Sequence, residues 1–561
     1  MNLRPILIAG ALALALVSCG KKEAGAPETK SSAAAARVEA ASPLDAPYRL
    51  KDAEPIDVDA LFSLLPASVR PSYDSAKFDA KLGATVLANL RLVDQDAGDD
   101  IEIDGVAIDR AELYGVDIEA IARVKAAEAA GLDAPFETIF DKVRLFGVKP
   151  AEPQEDREAS IGAAELDRLR LRQGGFKDGG EDGNPAFFFN SFDLAGLYLK
   201  DVAIDAEAKD SGAFAFKFKA PDLRFVGLGG GKLGAVIAND FEYEVTKSAE
   251  AHEALMQTMG PAGAIFSGPL KGFIAPDHQR VTAASFEWRD IDLSGLMGYG
   301  LKKEKPPLTA QGLIDLGTLK ISGAETYIDG RLAAKAAESR IDAFEFTWLV
   351  PSKIRSTSTG AEYDFTAYVG EEEEEAIAIL KKHGLDSVKG EGALSWDWNA
   401  EKGDAAFKTD FKTTNLADFK TDFALSGLEL ERINALIEAG DTNAIVKAGA
   451  FKGFGLTLAD KKLLDAMFDM SALQMGGSGA DLRQSAPAII RLSGAQAASL
   501  NPRIADYVEA VADFVAEGGS IEIAARPKAP VPLAAIEAAG QTGSQTLPDL
   551  LDLKVTHTKK K

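Results

Sequence analysis

Cysteine is nearly absent: Cys19 is the single one in 561 residues. No disulfide can form within the chain, so stability has to come from an ordinary packed core. Histidine is almost as scarce. His252, His278, His383 and His557 lie in four separate contexts, with no H-x-x-x-H or H-E-x-x-H spacing, so no metal and no cofactor is expected. No serine sits in G-x-S-x-G, since Ser267 has Ile265 two residues before it. Basic residues are outnumbered 86 to 62, a formal net charge of −24. So acidic a surface repels nucleic acid and anionic lipid headgroups, which excludes the first as a partner. Beyond Cys19, no apolar run approaches the ~20 residues that a membrane-spanning helix needs.

What is present begins at the N-terminus. Arg4 supplies a basic start, an apolar stretch runs from Ile6 to Val17, and Leu16-Val17-Ser18-Cys19-Gly20 closes it. Such a segment reads as a secretory signal, too short to span a bilayer as a mature helix. Leu-x-Ser-Cys resembles the lipobox of bacterial lipoproteins. That resemblance implies a diacylglyceryl group on the Cys19 sulfur, cleavage before Cys19 by signal peptidase II, and acylation of the new amine. Several acyl chains, at ~0.8 kcal/mol per buried methylene, hold a protein on a membrane. Gly20 is not the aspartate that retains many such lipoproteins at the inner membrane, so the resemblance favours the periplasmic face of the outer membrane.

Length alone suggests two to four domains, and 46% hydrophobic residues suffice for a core in most of the chain. The expected organisation is a signal over 1–18, an acylated flexible tether over 19–47 and an N-terminal α+β unit over 48–150. A charged, glycine-rich linker over 151–185, a central β-rich unit over 186–355 and a C-terminal α+β unit over 356–561 follow. The tether is rich in Ala, Glu, Lys, Ser and Pro and has no hydrophobic periodicity; its reach is about 30 Å. Lys302 to Pro307 and Ser356 to Gly360 are further candidate boundaries.

Two patterns fill the body. Alternation marks strands: Phe214, Phe216 and Phe218 share one face with lysines on the other, and Phe241, Tyr243 and Val245 do the same. So do the stretches around Ile321, Phe344-Glu345-Phe346, Trp396-Asp397-Trp398 and Ile521-Glu522-Ile523, with Asp178-Gly179, Asp329-Gly330 and Lys402-Gly403 as turns. Helical periodicity marks Ile118–Ala130, Gly370–His383, Leu428–Ala439, Lys461–Met470 and Ile504–Ala516. Strand-like runs at Asp141–Val148, Phe192–Leu199, Phe286–Leu296 and Phe423–Leu430 resemble one another without a fixed period. The expected architecture is therefore α+β: mainly antiparallel sheet, from loosely repeated strand–strand–helix units with helices on one face. It loosely resembles AsmA-like and YdgA-like envelope proteins, which implies lipid handling or envelope maintenance and assigns no residue.

Most candidate chemistry has a plainer explanation. Gly229 to Gly234 fits G-x-G-x-x-G, but a strand-like run follows where the dinucleotide fold needs a helix; Leu233 after Lys232 also breaks the phosphate-loop pattern. A hairpin turn explains it. Asp94 to Asp100 has carboxylates in the wrong order for a calcium loop, and Glu371–Glu375 suits a helix N-terminus. The remaining lead is aromatic. Phe187, Phe188, Phe189 and Phe192, with Phe214, Phe216 and Phe218, either fill a core or line a lipid-accepting groove. The sequence thus points to a lipid-anchored envelope protein with a non-catalytic binding or structural role, toward lipid or another envelope protein. The rival is a hydrolase acting on an envelope polymer.

Overall fold

The structure is a computed structural model and describes residues 41–65, 69–94, 105–127, 134–152, 157–174, 185–207, 214–247, 277–370, 373–441, 443–542 and 546–560. It is an α+β protein whose paired strands run antiparallel, as the alternation predicts. Contacts divide the chain into two units: one of described residues 41–247 with Asp277–Ala324, the other Glu325–Lys561.

In the first unit, β1 (Val69–Ser72) and β2 (Ser75–Asp79) both pair with β3 (Ala84–Asp94). From β3 each strand pairs with the next in a meander. Its members are β4 (Gly105–Tyr114), β5 (Phe136–Pro150), β6 (Arg157–Arg172), β7 (Phe192–Glu207), β8 (Phe214–Gly229), β9 (Lys232–Lys247) and β10 (His278–Asp292). Helix α1 (Val58–Ser63) precedes it, α2 (Ile118–Ala126) and α3 (Pro185–Asn190) interrupt it, and α4 (Ser294–Lys302) follows it. Asp57 and Asp117 cap α1 and α2, accepting from Ala60 N and Ala120 N. Gly230 and Gly231, at φ 56° and 81°, make the β8–β9 turn, so the glycine-rich run is a hairpin.

Two lines of kinks cross this sheet. At Asn89, Asp109, Gly147, Gly162, Asp201, Pro221, Asp240 and Ala284 the ladder is interrupted on eight successive strands. Every second member is left-handed: Asn89, Gly147, Asp201 and Asp240 have φ of 51°, 65°, 51° and 51°. Six positions along on each strand (109 and 115, 162 and 168, 234 and 240) runs a second line, Gly115, Asp141, Arg168, Ala195, Gly227, Gly234 and Asp290. Its left-handed members alternate too: Gly115, Arg168, Gly227 and Asp290. Glycine, asparagine and aspartate tolerate that region best, which accounts for all but Arg168. The facing residue must also leave room: a Cβ on Gly147 would lie 2.2 Å from Asp109 Oδ2.

β11 (Thr318–Ile328) leads the chain into the second unit, and Asp329-Gly330, at φ 48° and 80°, turns it into β12 (Arg331–Thr347). Strands β13 (Val350–Tyr363), β14 (Val388–Asn399), β15 (Asp404–Thr413), β16 (Ala417–Ser426) and β17 (Ala450–Asp460) continue as an antiparallel meander. β18 (Ser520–Ala525) and β19 (Val531–Pro532) both pair with β17, and β20 (Leu553–Thr558) pairs with β18. Helices are α5 (Glu374–Lys382), α6 (Leu430–Glu438), α7 (Ala444–Ala448), α8 (Leu463–Met475), α9 (Gly479–Leu500), α10 (Pro502–Glu517), α11 (Leu533–Thr542) and α12 (Leu547–Leu550). α5 begins with Glu374 and Glu375 and ends with Lys381 and Lys382, matching the helix dipole. Ala376 and Leu380 of α5 pack with Val369, Leu385, Val388 and Ala466. Phe514 of α10 packs with Leu464 and Ile521.

Three expectations about organisation change. The charged stretch taken as a linker contains β6, sixteen residues of strand, in which Glu165 and Asp167 share one face of the sheet rather than lying in solvated coil. Ser356–Gly360 lies inside β13, where a register shift between Ser358 and Ala361 and Gly360 at φ 61° mark a bulge. The tether also ends earlier than residue 47, because Ser42 is buried and Pro43–Asp45 form a turn of 3-10 helix against β6 and β7. Helix α9 had no forecast: Pro487 and Gly494 interrupt it and its apolar residues form no core-facing stripe. Asp178-Gly179, most of Asp94–Asp100, Glu371 and Glu372, His252 and Ser267 lie outside the described residues.

Candidate functional site: the two faces of the first sheet

Between the two kink lines, each strand of the first unit places alternate side chains on opposite faces. One face is apolar. Leu113, Val143, Leu166, Leu197, Phe225, Val236 and Trp288 form one row across β4–β10, each opposite the next. Ala111, Leu145, Ala164, Leu199, Leu223, Ala238 and Phe286 form a second.

Among the described residues, helices cover only part of it. Near β3–β6, α1 and α2 contribute Val58, Ala120 and Val124 to clusters that include Leu113, Leu145, Val143 and Leu166. Further along, Leu197, Leu199, Leu223, Phe225, Val236, Phe286 and Trp288 are all only half-buried. The indole of Trp288 donates to Leu316 O at 2.6 Å, fixing the rim at β10.

The alternation slips by one residue at each kink. On β9 the apolar residues are 236 and 238 before Asp240, then 241, 243 and 245 after it. The left-handed residue absorbs the slip, as a bulge does, so the apolar side stays the same side. Phe241 and Phe286, on either side of the kink line, meet edge to face at 6.1 Å.

The opposite face carries charge, and it is the more deeply buried. Glu112, Arg144, Glu165, Tyr198 and Arg224 are successive cross-strand neighbours. Glu165 is fully buried, at 0% exposure, and takes Lys142 on one oxygen and Arg144 Nε at 2.7 Å on the other. Glu112 accepts from Tyr114 Oη at 2.6 Å and pairs with Arg110 at 2.5 Å. Burial, and then the hydrogen bond to Glu112, push the Tyr114 phenol well above its usual range. Arg224 is bidentate on Asp222, which also accepts from Asn239 at 2.8 Å. Paired charges with their hydrogen bonds met are the form in which buried charge is tolerated.

Residues 42–50 lie on this charged face. Arg144 Nη2 donates to Pro43 O at 3.2 Å and to Ala46 O at 2.9 Å, and Lys200 pairs with Asp45. The Tyr48 ring meets Tyr114 edge-on at 4.9 Å, with Lys142 Nζ 4.8 Å from its centroid. At Leu50 the chain leaves the face through a hydrogen bond to Leu82 O.

The seven aromatics from the sequence do not gather in one place. Phe187, Phe188 and Phe189 lie on α3 and Phe192 opens β7, where the Phe189 and Phe192 rings approach to 6.4 Å. Phe214 opens β8, and Phe216 and Phe218 stand opposite Ala206 and Ile204 near the far end of β7. Phe216 and Phe218 are half-buried and sit opposite Val245 and Tyr243, on the apolar side that Phe241 shares. Sequence reasoning missed Leu197, Leu223, Phe225, Val236 and Trp288, although Leu223, between Asp222 and Arg224, and Trp288, between Glu287 and Arg289, alternate with charged residues as a strand does. Cys19 lies outside the described residues.

In the second unit, α5, α8, α9 and α10 enclose a cleft of about 720 Å³. His383 Nε2 and Lys382 Nζ both approach Asp469 Oδ2 at 2.7 Å. The Lys382 ammonium, and then the imidazole, hold the Asp469 carboxyl below its usual range. Arg483 donates to Val515 O at 2.8 Å and pairs with Asp465. Among the described residues lining the cleft there is no serine, threonine or cysteine, so the His383–Asp469 pair has no hydroxyl or thiol nucleophile beside it. His278 instead pairs with Glu244, and His557 meets Gly518 O. No group of His, Cys, Asp or Glu among the described residues is arranged to hold a metal ion.

A protein-family model described as an uncharacterized protein matches residues 410–558, within the second unit. No curated protein matches the chain.

Proposed function

We propose that this chain is a lipid-anchored bacterial envelope protein that binds acyl chains on the apolar face of β7–β10. The half-buried apolar rows carry this reading. Large apolar side chains from four adjacent strands, roughly 15–20 Å across at ~4.8 Å per strand, lie partly open to solvent. Contiguous apolar surface of that kind marks a site that meets lipid or protein. Between the kink lines the charged residues of the same strands, Lys200, Asp222, Arg224, Glu287 and Arg289, stand on the other face, where Arg224 is buried. Anchoring at Cys19 and placement at the periplasmic side of the outer membrane rest on the lipobox resemblance and on Gly20. The looser likeness to AsmA-like and YdgA-like proteins agrees with lipid handling. The rival, a hydrolase of an envelope polymer, has the His383–Asp469 pair in its favour and, among the described residues of the cleft, no hydroxyl or thiol nucleophile next to it.

The direct experiment uses the chain from Gly20 onward with a fluorescent long-chain fatty acid. Saturable binding is expected, with quenching that is lost in Trp288→Phe, and native mass spectrometry should find co-purified lipid. No binding, or binding that Phe225→Glu leaves unchanged, would remove the apolar face as the site.

A further inference from the structure

We infer that the charged face of β4–β7 is a peptide-binding surface, with residues 42–50 its displaceable ligand in the same chain. The partner it fits is a peptide that forms a tight turn, as Pro43–Asp45 do, and presents a carboxylate, an aromatic ring three residues later, and carbonyls on either side of the carboxylate.

The sheet is complete without these residues. Glu165 is satisfied by Lys142 and Arg144 Nε, and Glu112 by Arg110 and Tyr114, all from the strands themselves. What the segment adds is acceptors for Arg144 Nη2, a counter-ion for Lys200 and a ring over Tyr114 and Lys142. Residues 42–48 form no ladder with any strand: the backbone hydrogen bonds of Asp45 and Ala46 return to Ser42 and Pro43, within the turn.

The attachment is also of a kind that exchanges. Asp45 is 48% exposed and Lys200 30%, so their attraction is screened by salt. Arg144 recognises carbonyl oxygens, which any peptide carries. Only the carboxylate and the aromatic ring are particular to this segment. A peptide that supplies both in the same spacing reproduces every contact, and on binding it frees residues 42–50.

The test keeps the chain from Gly20 onward and uses a labelled peptide of residues 41–50, followed by fluorescence anisotropy. In the wild type the cis segment competes. The double variant Asp45→Ala/Tyr48→Ala should therefore bind the peptide at least tenfold more tightly than wild type. Binding should weaken with added salt, and fall at least tenfold when the peptide itself carries the two alanines. Equal binding by wild type and double variant overturns the inference, as does no binding by the variant. A double variant that fails to fold overturns it as well, because the segment would then be part of the core. Lys200→Ala gives an independent reading: it should speed hydrogen exchange in residues 42–50 while leaving β5–β7 protected, and unchanged exchange in the segment counts against displaceability.

Discussion

The rings of Phe241 and Phe286 meet edge to face at 6.1 Å, with planes at 88°, across a line where the strands lose step. Phe241 follows Asp240, whose φ of 51° absorbs one residue of the alternation. Without that turn of the backbone, every side chain beyond it would point to the wrong face. One left-handed residue thus joins two apolar panels into a continuous surface.

Left-handed backbone costs a β-branched residue roughly 1–2 kcal/mol. Asp240→Val should therefore destabilise the first unit by about that much, and Asp201→Val likewise, whereas Asp240→Gly should be near neutral. Urea unfolding followed by Trp288 fluorescence measures the difference; a neutral Asp240→Val would mean that the kink is not required.

Glu165 is the shared counter-charge of two buried cations. Glu165→Gln leaves Lys142 and Arg144 underpaired in a dry site, an effect of about 3–5 kcal/mol when a buried pair is broken. Loss of cooperative unfolding, or a fall in melting temperature larger than for any exposed Glu→Gln change, is the expected result.

The two aromatic groups should separate in a ligand assay. Phe218→Glu puts charge on the apolar face beside Tyr243 and should weaken fatty-acid binding by about tenfold, ~1.4 kcal/mol. Phe189→Glu, at the other end of β7, should leave binding unchanged. The reverse outcome would move the site to α3.

Acid should loosen the second unit. The Asp469 carboxyl is held below its usual range by Lys382 and His383. Its contribution is present above the ordinary aspartate value of ~3.9 and is lost as pH falls below it, toward the lowered value. Melting temperature measured from pH 6 down to pH 3 should drop less in Asp469→Asn, which lacks the titrating group, than in wild type.

The proposed membrane attachment rests on one sulfur. Cys19→Ser should give an unprocessed precursor or a soluble product on fractionation, while the wild type sediments with membranes and extracts into detergent. Identical fractionation of the two would dismiss the lipid anchor.

Much of the secondary structure was legible because its signals are local. Alternation at Phe216, Phe218, Tyr243 and Trp396 announced strands; Asp329-Gly330 and the glycines at 230 and 231 announced turns. The acidic start and basic end of α5 announced a helix. Helix α9 escaped because it is held by its neighbour: Arg491 pairs with Glu509 and Asp513, and Val508 packs where a Cβ on Gly494 would collide. None of those partners is near in sequence.

By itself, then, the sequence determined the antiparallel α+β class, the absence of disulfides, the acid surface and the local course of most strands. These follow from side-chain period, counts and charge, which need no knowledge of neighbours. Only the tertiary structure decided which face each strand turns outward. Asp201 and Asp240 read as ordinary surface charges until their backbone is seen to be left-handed. Glu165 reads as part of a linker until β5 and β6 lie side by side and pair it with Arg144, and Pro43 to Pro47 read as tether until the charged face lies beneath them. Register is a relation between strands far apart in the chain, and no single strand encodes it.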